Sequence, residues 1–221
     1  MSGKKTIGVI LSGAGYLDGA EIQESVLCLL ALNEAGVDVK MFAPDVSLAE
    51  INHLSAETTG AERRVLLESA RIARGKVTDI ATVRGTDLDG WVLPGGYGAA
   101  KNLCDFAEKG ANATAHKEVA RVIREALAAQ LPVGACCIAP ALLAVATKSS
   151  GPHLKLTIGN DPDTAKALRS LGAEHVECPV TDICVDADHR VVTAPAYMYD
   201  ASIGDVAKGI RKMVEQVVAW A

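Results

Sequence analysis

The segment Leu131-Pro132-Val133-Gly134-Ala135-Cys136-Cys137-Ile138-Ala139-Pro140-Ala141 constrains this chain more than any other, because an apolar strand runs straight into a helix start with a cysteine at the corner. A nucleophile elbow is a sharp, strained turn that leaves no room for side chains two places either side of the reactive residue. Cys137 has Ala135 and Ala139 at those places, whereas Cys136 has Gly134 and the bulky Ile138. The spacing points to Cys137 as a reactive thiol and leaves Cys136 at the buried end of the strand. The alternative is two structural cysteines packed as small hydrophobes, the usual fate of free cysteine.

An elbow needs a parallel sheet behind it, and the rest of the chain alternates as such a sheet requires. Residues 6–11, 37–42, 90–93 and 131–135 are short apolar runs bounded by turn residues, the pattern of strands buried on both faces. Helices are predicted from the loop at 13–19 up to Gly36 and over 117–130, where Val119, Val122, Ile123 and Leu127 share a stripe. After the elbow helix come a strand at 154–158, a helix at 164–171, a hairpin of 182–185 with 190–194 turning at Asp186-Ala187-Asp188, and a final helix over Ile203–Trp220. Residues 43–86 are less regular, with a helix predicted at 61–74, and read as an insertion into a single domain spanning 1–221. The expected architecture is an α/β three-layer sandwich with one mainly parallel sheet. Functional residues then gather at the carboxyl ends of the strands, in the loops after Leu11, Leu93 and Ala135.

Composition narrows the function. With 221 residues and 49% apolar content the chain can bury a full core, and a net charge of -5 with 4% aromatics supports no nucleic-acid footprint. No apolar stretch reaches the roughly 20 residues that span a bilayer, and no hydrophobic leader precedes a cleavage site, so a soluble, cytoplasmic protein is expected. The six cysteines form no CxxC pair, which argues against zinc and against a disulfide framework. No clustered His/Asp/Glu pattern suggests a metal.

Two further elements could serve the thiol. Leu93-Pro94-Gly95-Gly96-Tyr97-Gly98 leaves a strand with unobstructed backbone N–H groups. The N–H of Gly96 with that of Ile138, next after the nucleophile, would make a two-donor hole for charge on a carbonyl oxygen. On the first helix, Asp18 and Glu21 read as a capping box. Glu24 instead shares a face with Leu27, Cys28 and Ala31, so its carboxyl is expected against the sheet, with a raised pKa, able to hydrogen-bond the Cys137 sulfur, favour its thiolate and shuttle protons.

The stretches Ile10-Leu11-Ser12-Gly13 with Asp18-Gly19 and Glu21-x-x-Glu24, Glu68-Ser69-Ala70-Arg71-Ile72-Ala73-Arg74-Gly75, Leu93-Pro94-Gly95-Gly96-x-Gly98-Ala99-Ala100-Lys101-Asn102-Leu103 and Cys137-Ile138-Ala139-Pro140-Ala141 resemble the class I glutamine-amidotransferase-like superfamily of PfpI proteases and Parkinsonism-associated deglycases. Within it they are most similar to the ElbB, or enhancing lycopene biosynthesis, glyoxalase type, and the similarity extends to Thr157-Ile158-Gly159 and Pro195-Ala196-Tyr197. The resemblance implies a flavodoxin-like fold, usually a homodimer. By position it puts the reactive cysteine on Cys137, its partner glutamate on Glu24 and the oxyanion glycines on Gly95 and Gly96.

Relatives with a Cys-His dyad carry a histidine in the strand after the elbow helix, where this chain has Thr157-Ile158-Gly159. Without such a base nothing obvious protonates a leaving amine, so peptide or glutamine hydrolysis ranks low. The resemblance favours a glyoxalase free of glutathione, metal and cofactor, converting a small carbonyl substrate such as glyoxal or methylglyoxal to a 2-hydroxy acid. The alternative is a redox or carbonyl-stress sensor, or a regulator of isoprenoid output, with Cys137 modified instead of turning over.

Overall fold

The computed structural model describes residues 3–149 and 151–221. Strand β1 (Thr6–Ile10) leads to helix α1 (Ile22–Glu34) and strand β2 (Asp38–Ala43), followed by β3 (Ser47–Ile51), β4 (Thr58–Arg64), α2 (Val65–Ile72) and β5 (Val77–Asp79). The chain continues through β6 (Gly90–Leu93), α3 (Tyr97–Lys101), α4 (Phe106–Lys109), α5 (Lys117–Ala128), β7 (Val133–Cys136) and α6 (Ala139–Thr147). Then come β8 (Lys155–Leu156), α7 (Pro162–Ser170), β9 (Glu174–His175), β10 (Cys184–Asp186), β11 (Val191–Ala194) and α8 (Ile203–Trp220).

Seven strands form the central sheet in the order β10-β11-β7-β6-β1-β2-β5, parallel throughout except for the β10–β11 hairpin. This is the expected α/β, flavodoxin-like sandwich with a mainly parallel sheet. Period-two alternation splits the strand side chains between two cores. Ile7, Val9 and Val92 pack with α1 and α8 on one face, while Ile10, Trp91 and Leu93 pack with α5 and α6 on the other. Each fully buried Val, Leu or Ile adds about 2 kcal/mol of transfer free energy, so both faces must be covered. Strand order reverses between β1 and β6, which places the loops after β1, β6 and β7 side by side at one edge of the sheet.

Three expectations are corrected. Residues 61–64 are strand, not helix, and α2 begins only at Val65. The sequence Ala61-Glu62-Arg63-Arg64 suits a helix by propensity, but it pairs antiparallel with β3, and Arg63 is drawn to Asp18, Glu50 and Glu68. The 154–158 strand shortens to β8 and pairs with β9 in a separate small sheet. Beyond it, the Thr157 N–H donates to the Thr193 hydroxyl at 2.9 Å instead of entering a ladder. The capping box is also absent: Glu21 is itself the N-cap of α1, accepting the Glu24 N–H. Asp18 turns away to take the Ile51 N–H at 2.8 Å and one nitrogen of Arg63 at 2.5 Å, a charge-assisted contact stronger than a neutral one.

Candidate active site

Cys137 sits between β7 and α6 with φ +59°, a left-handed conformation that costs an L-residue strain and persists only where the surroundings over-determine it. Its N–H is held by the Ala194 carbonyl at 2.9 Å, and Ala135 and Ala139 are fully buried against the turn. The elbow thus has the geometry that its small flanking residues require. Cys136 is wholly buried at the strand end, beside Cys28 and facing α1. All six cysteines are free thiols.

Glu24 comes to the same point from the first turn of α1, with no exposed surface. Its two carboxyl oxygens are fixed separately: Oε2 accepts the Gly95 N–H at 3.0 Å and Oε1 accepts the Tyr197 N–H at 3.1 Å. Two thiols face this carboxyl: Cys136 Sγ donates to Oε2 at 3.9 Å, and the Cys137 thiol is a second side-chain partner. Burial, against these donors, raises the Glu24 carboxyl to about 7.

Burial, with the Glu24 charge second, also pushes the Cys137 thiol up, and the Gly96 and Ile138 N–H groups pull the other way. The expectation that Glu24 favours a resting thiolate is therefore corrected, since a carboxylate facing sulfur in a dry site disfavours a second negative charge. The arrangement instead suits transfer of the S–H proton to Glu24 as sulfur attacks.

Gly95 and Gly96 are placed by steric need. A Cβ on Gly95 would stand 2.4 Å from Cys137 Cβ and 2.7 Å from Glu24 Oε2, so only glycine lets the loop approach the pair. Gly96 adopts φ +91° as the N-cap of α3, which turns its N–H toward the Cys137 sulfur, where the Ile138 N–H also points. The residues picked from sequence, Cys137, Glu24, Gly95, Gly96 and Ile138, thus meet at one place, but the oxyanion role expected of Gly95 is corrected: its N–H is taken by Glu24, which leaves Gly96 and Ile138 as the free pair of donors.

A cavity of about 590 Å³ opens over Cys137, and Tyr16, Tyr97 and Tyr197 contribute to its wall. No histidine is among its described lining residues. His175, on the strand that follows α7, is turned to the Ile158 N–H at 3.5 Å.

Tyr197 escaped sequence reasoning. Its signal was the Pro195-Ala196-Tyr197 motif at the carboxyl end of β11, where Ala196 takes φ +47° and presents the next N–H to Glu24. Tyr16 and Tyr97 were visible only as loop aromatics, and they are brought together by the Tyr97 N–H donating to the Tyr16 carbonyl at 2.8 Å.

The chain is 40% identical to the ES1 protein homolog, mitochondrial, of Rattus norvegicus and 40% identical to the glutamine amidotransferase-like class 1 domain-containing protein 3, mitochondrial, of Homo sapiens. Each match covers 96% of this chain and 82% of the relative. Among solved structures it is similar to an isoprenoid biosynthesis protein with an amidotransferase-like domain from Ehrlichia chaffeensis, with TM-score 0.91, 36% identity and coverage of 98% of this chain and 99% of that one. A glyoxalase III from Candida albicans shares the fold at TM-score 0.63 and 15% identity, over 98% and 97% of the two chains. No family model matches the chain. The expected cytoplasmic location is overturned, because these curated relatives are named as mitochondrial proteins. The composition of a folded core reflects its packing and carries no address.

Proposed function

The chain belongs to the ES1 group of glutamine-amidotransferase-like class 1 proteins, and on that premise we propose that it is a cofactor-free glyoxalase of the ElbB type. The observation that carries this reading is the Cys137–Glu24 pair: a thiol and a fully buried carboxyl near 7 in mutual reach, with two N–H groups on the sulfur and no histidine among the described lining residues. Such a pair can move protons between sulfur, carbon and oxygen.

As Cys137 sulfur bonds to the aldehyde carbon of a 2-oxoaldehyde, its proton passes to the Glu24 carboxylate and the carbonyl oxygen takes the electron pair. The Gly96 and Ile138 amides receive that oxygen charge, which Glu24 then protonates to give a hemithioacetal. Glu24 removes the proton from that carbon while the hydroxyl proton passes to the neighbouring carbonyl oxygen, giving an enediolate, and Glu24 then returns the carbon-bound proton to the neighbouring carbon, leaving a 2-hydroxy thioester. Water hydrolyses the thioester to the 2-hydroxy acid and frees the thiol, so the reaction is redox-neutral overall.

The test is steady-state loss of glyoxal and methylglyoxal with detection of glycolate or lactate, for the wild type, Cys137→Ser, Cys136→Ser and Glu24→Gln. Turnover that survives Cys136→Ser and vanishes in the other two variants supports the pair. A stoichiometric Cys137 adduct without turnover would move the protein to the sensing class.

A further inference from the structure

We infer that the cavity over Cys137 takes a 2-oxoaldehyde with an aromatic or similarly bulky apolar substituent, neutral or cationic, and turns away substrates bearing a carboxylate or phosphate. This rests on the oxoaldehyde reading above and specifies the substrate class of that same site.

Size argues first. The cavity of about 590 Å³ is of the scale that encloses drug-sized ligands, far beyond the two carbons of glyoxal. It shares Tyr16, Glu21, Tyr197 and Met198 with an adjoining cleft of about 430 Å³, so room continues past the point where an aldehyde would meet the thiol.

The wall argues next. Phe106, Ile138 and Met198 are apolar, while Tyr16 and Tyr97 stand half-exposed at the rim and expose apolar ring surface. An aryl group can stack on these rings at little cost in water-bound polar groups.

Charge decides which aryl substrates enter. Besides the thiol and the tyrosines, the ionisable lining groups are Glu21 and Asp161, both acidic. Asp161 is held below the usual carboxylate range by Thr164, whose N–H it accepts at 2.7 Å as the N-cap of α7. Sites for anionic substrates carry Arg or Lys, and no basic side chain is among the described lining residues. The nearby Lys101 is drawn off to the Leu17 carbonyl at 3.0 Å, lies 5.1 Å from the Tyr97 ring centre and lines a different cavity.

The experiment compares kcat/KM for glyoxal, phenylglyoxal and 4-carboxyphenylglyoxal, each normalised to its rate of addition to free cysteine, and the binding of two unreactive ketones, acetophenone and 4-acetylbenzoate, by calorimetry. Phenylglyoxal is expected to exceed both other substrates by about tenfold or more, the scale of one well-filled apolar subsite or one unpaired charge. Asp161→Asn, which keeps the cap, should narrow the gap between phenylglyoxal and its carboxylate at least about threefold. Equal use of phenylglyoxal and its carboxylate, or a preference for glyoxal, would overturn the inference while leaving the glyoxalase reading standing. Acetophenone that binds while 4-acetylbenzoate does not, with no oxoaldehyde turned over, would uphold the cavity's selectivity and sink the glyoxalase reading instead.

Discussion

The N–H of Tyr197 donates to Glu24 Oε1 at 3.1 Å, joining the loop after β11 to a carboxyl 173 positions earlier on the first helix. With the Gly95 N–H on the other oxygen at 3.0 Å, the carboxyl cannot rotate, so its remaining freedom is gain and loss of a proton. Its catalytic use and its effect on stability follow from that restriction.

Glu24→Gln keeps an oxygen for one of the two amides and removes the transferable proton. Oxoaldehyde turnover is expected to fall by about 10²- to 10⁴-fold, the usual worth of one general acid–base group, with folding retained. Initial rates beside a thermal melt check this, and turnover within threefold of wild type would remove Glu24 from the chemistry.

The Glu24 carboxyl rises from 4.5 in the unfolded chain to about 7 in the fold. Between those values the folded protein holds a proton that the unfolded chain has released. Stability contributed by Glu24 is therefore greatest below pH 4.5 and is lost as pH climbs to 7, by about 3 kcal/mol in all. Urea unfolding of wild type and Glu24→Gln across that window should show the wild type losing ground to the variant as pH rises. Parallel curves would contradict the buried, raised carboxyl.

Turnover should change with pH in the opposite direction. Taking the proton from the thiol requires Glu24 ionised, so kcat/KM for an oxoaldehyde should climb through a midpoint near 7, set by the same group. A flat profile between pH 5.5 and 8 would mean that another group activates the sulfur.

Gly95→Ala places a methyl 2.4 Å from Cys137 Cβ and 2.9 Å from the Cys136 carbonyl, neither of which can yield without moving the elbow. Overpacking of this kind costs about 1–3 kcal/mol, and a displaced nucleophile about 10²-fold in rate. A variant with wild-type melting temperature and activity would show that the loop has slack the structure does not display.

Arg63→Met leaves the buried Asp18 without the guanidinium it meets at 2.5 Å. A buried charge stripped of its partner costs about 3 kcal/mol, measurable by urea unfolding. Adding Asp18→Asn should return part of that loss, since the stranded charge is then gone. Strictly additive losses would mean that the two residues act separately.

Cys137 could be singled out from its neighbours alone, because the elbow's demand for small residues at 135 and 139 is local and written in adjacent positions. The same holds for the glycines at 95 and 96 and for helix α8, whose capping Ser202 and apolar stripe lie within one segment. Arg63 shows the limit. Its helical propensity was legible, but its pairing with Asp18, 45 positions away, was not, and that pairing together with β3 made the segment a strand.

By itself, the sequence determined the alternation of strands and helices, the elbow at Cys137 and the burial of Glu24, since each depends on side-chain size and polarity repeated over a few residues. Only the tertiary structure decided that Tyr197 and Gly95 hold the two oxygens of Glu24, that the thiol is pushed up, and that the cavity wall is aromatic and acidic. Those properties arise from desolvation and from contacts between residues far apart in the chain, and they do not exist until the sheet brings its loops to one edge.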